Sequence, residues 1–227
     1  FSLHCKASLV FGPGAGGGFG TVVDLEKVWD LVVLVCETLN DIEYRYLFSV
    51  EEGAFNAISQ LLYKAMLFPD KSINELVDNG IQGVMKWWDQ REAGIVEAEQ
   101  LANGILAFKA FKAVKVGNKY LTIDKLPPET LGPMIWVLTE AYIGEGTLVK
   151  EKAIVELISR VQRWRHMIEI LEHMSVDGSK VNAIASLERI NSFLLDSQQA
   201  DFNRHLDGLA LQGHPSTPAM QYAWRVE

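Results

Sequence analysis

The run Thr147-Leu148-Val149-Lys150-Glu151-Lys152-Ala153-Ile154-Val155-Glu156-Leu157-Ile158-Ser159-Arg160-Val161-Gln162-Arg163-Trp164-Arg165-His166-Met167-Ile168-Glu169-Ile170-Leu171-Glu172-His173-Met174 decides the fold class. Ile154, Leu157, Ile158, Val161, Trp164, Ile168 and Leu171 share one stripe, so the spacing predicts a single long helix over 147–174, ended by a turn at Asp177-Gly178. On that wheel His166 falls nearly opposite the stripe, and Glu169 and His173 also lie off it. All three are then expected on a solvated polar face.

Similar stripes run on either side. Leu25, Val28, Leu31, Val32, Val35 and Leu39 predict a helix over roughly 24–40, with Asp24 at its start. Trp29, Val33, Leu34 and Cys36 widen its apolar face nearly all round, which places this helix at the centre of a bundle. Ser49-Val50-Glu51-Glu52 has capping-box form and opens a second helix that ends near Phe68-Pro69. Ser72 and Glu75 open a third, carried by Ile73, Leu76, Val77, Ile81, Val84, Trp87, Trp88, Ile95, Leu101, Ile105 and Phe108. Gly80, Gly83, Gly94 and Gly104 weaken it, with a kink expected near 91–94, since Gly costs about 1 kcal/mol against Ala inside a helix. Val114 to Ile123 flanks Gly117-Asn118 with β-branched residues and predicts a hairpin. Pro128, Glu129 and Thr130 open a helix through Leu131, Ile135, Leu138 and Tyr142. Two more follow over about 181–195 and 197–211.

The expected fold is therefore mainly α: an irregular bundle of about seven helices with an N-terminal β-strand and one short β-hairpin. Leu3, Cys5, Ala7 and Leu9 alternate with polar or small residues as one face of that strand. The chain divides into a strand and Gly-rich linker over 1–20, a helical domain over 21–212 and an extended tail over 213–227. Phe1-Ser2 carries neither an initiator Met nor a signal segment, so the sequence reads as a piece of a longer or processed chain.

Composition narrows the function classes. The chain has 227 residues, 48% hydrophobic and 22% charged, a globular balance. Its 29 acidic and 21 basic residues leave a net charge of −8, which argues against broad nucleic-acid binding. The apolar run Leu31 to Cys36 is far shorter than the ~18 residues of a membrane span. The two cysteines, Cys5 and Cys36, can form at most one bridge, which a chain of this size does not need for a core, so the redox state is left open.

Four patterns have the letters of chemistry. Gly12, Gly14 and Gly17 spell the dinucleotide turn, but Pro13 interrupts it, no helix starts directly after it, and no P-loop lysine is present; a linker is expected, and no cofactor. His166, Glu169 and His173 are the candidate metal ligands, Glu169 and His173 being four residues apart; with no H-E-x-x-H and no second cluster, no metal is expected. Lys109, Lys112, Lys115 and Lys119, interleaved with Phe108 and Phe111, are candidates to meet an anionic partner, beside the ordinary reading of wet lysine heads on buried stems. Trp87-Trp88 is a candidate interface, because adjacent helical side chains diverge by about 100°. No nucleophile elbow or reactive cysteine motif is present, and a non-enzyme is favoured.

One resemblance rests on particular residues. Leu3-His4-Cys5-Lys6-Ala7-Ser8-Leu9-Val10-Phe11-Gly12-Pro13-Gly14-Ala15-Gly16-Gly17-Gly18-Phe19-Gly20-Thr21, Tyr44-Arg45-Tyr46-Leu47, Lys86-Trp87-Trp88, Leu126-Pro127-Pro128-Glu129-Thr130-Leu131-Gly132, Met174-Ser175-Val176-Asp177-Gly178 and Arg189-Ile190-Asn191 resemble the helical region of large bacterial proteins associated with type VI secretion. The resemblance implies the delivery context of a secreted antibacterial effector, cytoplasmic before delivery through a contact-dependent apparatus; with no catalytic constellation in the sequence, the chain is expected to be a non-catalytic module of one, acting in packing, carriage or partner binding. Its partners would be other domains of a longer chain, a secretion-apparatus protein or an immunity protein, with no nucleic acid. A pore-forming domain built on the 31–36 helix, and an enzyme assembled around His166, Glu169 and His173, are the alternatives.

Overall fold

The computed structural model describes residues 25–41, 52–68, 76, 98–108, 111–112, 120–140 and 147–213. Among them run eight helices: α1 (Leu25–Asp41), α2 (Glu52–Leu67), α3 (Ala98–Ala107), α4 (Pro128–Glu140), α5 (Thr147–Ser159), α6 (Trp164–Glu172), α7 (Ala183–Phe193) and α8 (Asp196–Gly213). The architecture is mainly α. The expected strand and linker over 1–20, the kink at 91–94 and the tail beyond Gly213 lie outside the described residues.

Between α3 and α4, β1 (Phe111–Lys112) and β2 (Tyr120–Leu121) pair antiparallel, followed by a 3₁₀ turn over Ile123–Lys125. A two-residue turn at Gly117-Asn118 would set Lys112 opposite Ile123. The observed partner of Lys112 is Tyr120, and Ile123 belongs to the 3₁₀ turn instead of a strand. Gly117-Asn118 itself lies outside the described residues.

The centre of the bundle is α4, which packs on α2, α3, α5, α6 and α7. Its sequence is apolar on every side, and Leu131, Met134, Ile135 and Leu138 are fully buried. Each such side chain contributes roughly 1.5–3 kcal/mol on leaving water. The central place expected for α1 is corrected accordingly. Trp29, Val32, Val33, Cys36 and Leu39 are buried, but Leu31 and Leu34 remain 41% and 40% exposed. This helix is one-sided and lies against β2 and the 3₁₀ turn. Gly104, which weakens α3 by propensity, is required by packing: a Cβ there would overlap the Met66 carbonyl of α2.

The single helix expected over 147–174 is two helices, α5 and α6, separated at 160–163. The reason lies in phase. Ile154, Leu157 and Ile158 are buried from α5, whereas His166, Met167, Ile170 and Leu171 are buried from α6. At about 3.6 residues per turn these two faces point about half a turn apart, so a straight helix would leave one of them in water. The break lets both face the core. Both backbone groups of Val161 find partners there: its N–H donates to Ile158 O at 3.0 Å, and its O meets His205 Nε2 of α8 at 2.9 Å. Arg163 is extended (φ −125°, ψ 131°), and its Nη1 donates to Asn40 O at 2.6 Å, at the C-terminal end of α1, where a cation is favoured.

A tight corner joins α7 to α8. Leu195 N–H donates to Oε2 of the buried Glu151 at 3.0 Å, and Asp196 turns the chain at φ +35°. At the other end of α7, Asn182 Oδ1 accepts from Ile184 N at 2.8 Å and Ala185 N at 3.3 Å, an N-cap that satisfies two orphan donors. Asn182→Ala is expected to lower stability by about 1 kcal/mol in denaturant unfolding. A change within error of zero would contradict the cap.

Candidate functional site

Two of the motifs singled out in the sequence, 126–132 and 174–178, meet at the N-terminal end of α4. Pro128 takes the first helical position, where no N–H is needed, and Glu129 sits in the first turn, where the helix dipole favours an anion. Farther in, Pro133 has no N–H to offer the Glu129 carbonyl. Gly178 packs beside that carbonyl at φ +77°, and a Cβ on it would lie 3.1 Å from Glu129 O and 3.4 Å from Pro133 Cγ. Gly132 makes a closer approach, since a Cβ there would overlap the His173 carbonyl. The turn is fixed by its own polar groups. Ser175 Oγ lies 3.0 Å from Asp177 Oδ1, which also accepts from Ser179 N at 3.0 Å. Hydrogen bonds from Ser179 hold the Asp177 carboxyl below the usual carboxylate range.

His173 caps α6 and is buried. Its Nδ1 meets Gly178 O; a carbonyl only accepts, so this nitrogen carries the proton and donates. Its Nε2 faces Glu129 Oε1 at 3.8 Å. The second oxygen, Glu129 Oε2, is buried with no hydrogen-bond partner among the described residues. Burial raises the Glu129 carboxyl above its usual range, and the negative Glu169 adds to this, while His173, its own backbone hydrogen bond and Lys180 pull it down. Burial also pushes the Cys36 thiol of α1 up to about 12, with Glu129 and Glu37 adding to the effect. At neutral pH Cys36 is a thiol, not a nucleophilic thiolate.

His166 is 3% exposed, which corrects the solvated position expected for it. Because α6 is re-phased by the break, the ring turns inward and its Nε2–H donates to Leu126 O at 3.0 Å. Burial lowers its pKa to about 4, with Arg163 adding to the drop, while the Leu126 hydrogen bond and Asp124 oppose it. His173, also expected in water, is corrected for the same reason: it lies on the buried side of the α6 terminus. Glu169 alone stays at the flank, 3.5 Å from Arg165 Nη2 and 3.9 Å from Lys180 Nζ.

The three candidate metal ligands are thus on one helix but do not converge. His166 is aimed at Leu126 O and His173 at Gly178 O, and among the described residues no group of three or more His, Cys, Asp and Glu is placed to hold a metal. His205, isolated in sequence, belongs to the same pattern through Val161 O. Lys109, Lys115, Lys119, Trp87 and Trp88 lie outside the described residues; Lys112 is in β1, with only its backbone described. Sequence reasoning missed the Glu129–His173 pairing and the contact of Arg189, which donates through Nε to Thr139 Oγ1 at 2.8 Å with its guanidinium 5.2 Å over the Trp136 ring. No helix among the described residues is long and apolar enough to cross a membrane. Comparison of the chain with protein-family models, with curated proteins and with solved structures gives no match.

Proposed function

We propose that this chain is a non-catalytic helical module of a secreted antibacterial effector of the type VI secretion kind, acting in packing, delivery or partner binding. The observation that carries the non-catalytic part is the use made of the three imidazoles among the described residues. His166, His173 and His205 each meet a main-chain carbonyl of a connecting segment, at Leu126, Gly178 and Val161, so the groups best suited to acid-base or metal chemistry brace the backbone. Cys36 is held as a buried thiol in the core. The secretion context rests on the resemblance, whose segments at 126–132 and 174–178 pack on each other around Gly132 and Gly178.

Expression of the chain in the cytoplasm and in the periplasm of a sensitive bacterium separates this reading from a toxin. The module is expected to leave growth unchanged in both compartments, to release no dye from liposomes at any pH, and to be needed for delivery when removed from its parent polypeptide. Growth arrest in either compartment, or dye release, overturns the proposal in favour of an enzyme or a pore former respectively.

A further inference from the structure

We propose that Glu129 and His173 hold one proton between them, and that this proton makes a pH-sensitive clasp fastening the 173–180 turn to the first turn of α4. The argument is one of donors and acceptors. His173 Nδ1–H is committed to Gly178 O, so in the neutral ring Nε2 presents a bare lone pair. An ionised Glu129 presents only acceptors. With no proton between them, two acceptors would face each other 3.8 Å apart in a buried site, one carboxylate oxygen having no hydrogen-bond partner among the described residues. One proton resolves this, as a carboxylic acid donating to Nε2 or as an imidazolium beside a carboxylate.

The surrounding charges come from every element packed there. Glu169 and Glu172 lie on α6, Lys180 in the turn, and Cys36 and Glu37 on α1, while Arg165 is engaged with Glu169 and Lys180 with Glu172 and Glu169. Burial and Glu169 resist the carboxylate; Lys180 works against them. Opened to water, the imidazole holds its proton only up to about pH 6.5, whereas the closed turn keeps the shared proton above that value; closure therefore weakens as pH rises from there through the pair's step, by at most about tenfold per pH unit. Opening would also loosen the start of α7, because Val181 N–H donates to Glu172 O at 2.6 Å immediately before the Asn182 cap.

Hydrogen exchange at the Val181 and Gly178 amides tests this, corrected for intrinsic exchange and followed over about pH 6 to 9 in the wild-type chain and in Glu129→Gln. The glutamine amide can donate to Nε2 without a titrating proton. Protection in the wild type is expected to fall by up to about tenfold per pH unit through the step, and to stay flat in Glu129→Gln. Parallel profiles overturn the clasp. Independently of whether that variant folds, the carboxyl carbon of Glu129 and the ring nitrogens of His173 in the wild type are expected to shift in one common step above the ordinary imidazole value of about 6.5. A common step at or below that value, or a Glu129 carboxyl that titrates with no matching change at His173, overturns it as well.

Discussion

Gly132→Ala is expected to lower the stability of the chain by about 3 kcal/mol, although alanine is the better helix former. Two terms favour the substitution: helix propensity gives Ala up to about 1 kcal/mol over Gly, and a less flexible unfolded chain adds a few tenths more. The opposing term is steric. A Cβ on Gly132 would overlap the carbonyl of His173, which is backbone and is pinned at the α6 terminus by hydrogen bonds from His173 N to Glu169 O and Ile170 O, each at 3.1 Å. Neither α4 nor the 173–178 turn can yield without disturbing Leu131, Met134 or the Gly178 contact, and overpacking of this kind costs about 1–3 kcal/mol or more. For a chain of this size the loss lowers the thermal midpoint by roughly 6–12 °C.

Gly208→Ala is the matched control. Gly208 lies in α8 with nothing within 4 Å of the added Cβ, so there the propensity term acts alone and stability rises by up to about 1 kcal/mol. Thermal unfolding of the two variants measures opposite signs if α4 and the 173–178 turn are in backbone contact. A neutral or stabilising Gly132→Ala would show that they are not.

The contrast between these glycines marks what the sequence could and could not convey. Helix content was legible because apolar spacing in α1, α2, α4 and α8 is a local property, and Pro128 announced the start of α4 by its missing N–H. The break at 160–163 was hidden, since the stretch holds neither Gly nor Pro and one extended stripe could be drawn through it. A signal was nonetheless present. Met167, Ile170 and Leu171 form a second stripe about half a turn from Ile154 and Ile158, and two stripes out of phase cannot both be buried by one straight helix. That choice of stripe decided where the histidines were expected. The pairing of Glu129 with His173 was beyond reach for a different reason: it depends on how α4 docks against α6, which no spacing within either helix specifies.

Acid is expected to act through His166. Its pKa in the folded chain is about 4, against 6.5 when solvated, because burial penalises the charged ring. A lowered value means that the unfolded chain binds the proton first. The contribution of the neutral ring is therefore complete above pH 6.5 and is lost as pH falls toward 4, and it amounts to about 3 kcal/mol. Asp177 weakens the fold in the same direction but below its ordinary value of 3.8, outside that window, while Glu129, whose carboxyl is raised, favours the folded state as pH falls. His166→Gln retains an N–H donor toward Leu126 O and has no charge to gain. Its stability is expected to be lower than wild type at neutral pH and to lack the loss between pH 6.5 and 4, so that the two curves converge on acidification. Curves that remain parallel across that window would assign the acid response to other groups.

The central claim is that α6 is re-phased so that its histidines brace the backbone inside the bundle. The most direct measurement is the titration of the His166 ring by nuclear magnetic resonance in the folded chain. The buried, Leu126-bound ring is expected to stay neutral down to about pH 4. A midpoint near 6.5, the value of an imidazole in water, would return His166 to the outer face of one straight helix and contradict the account.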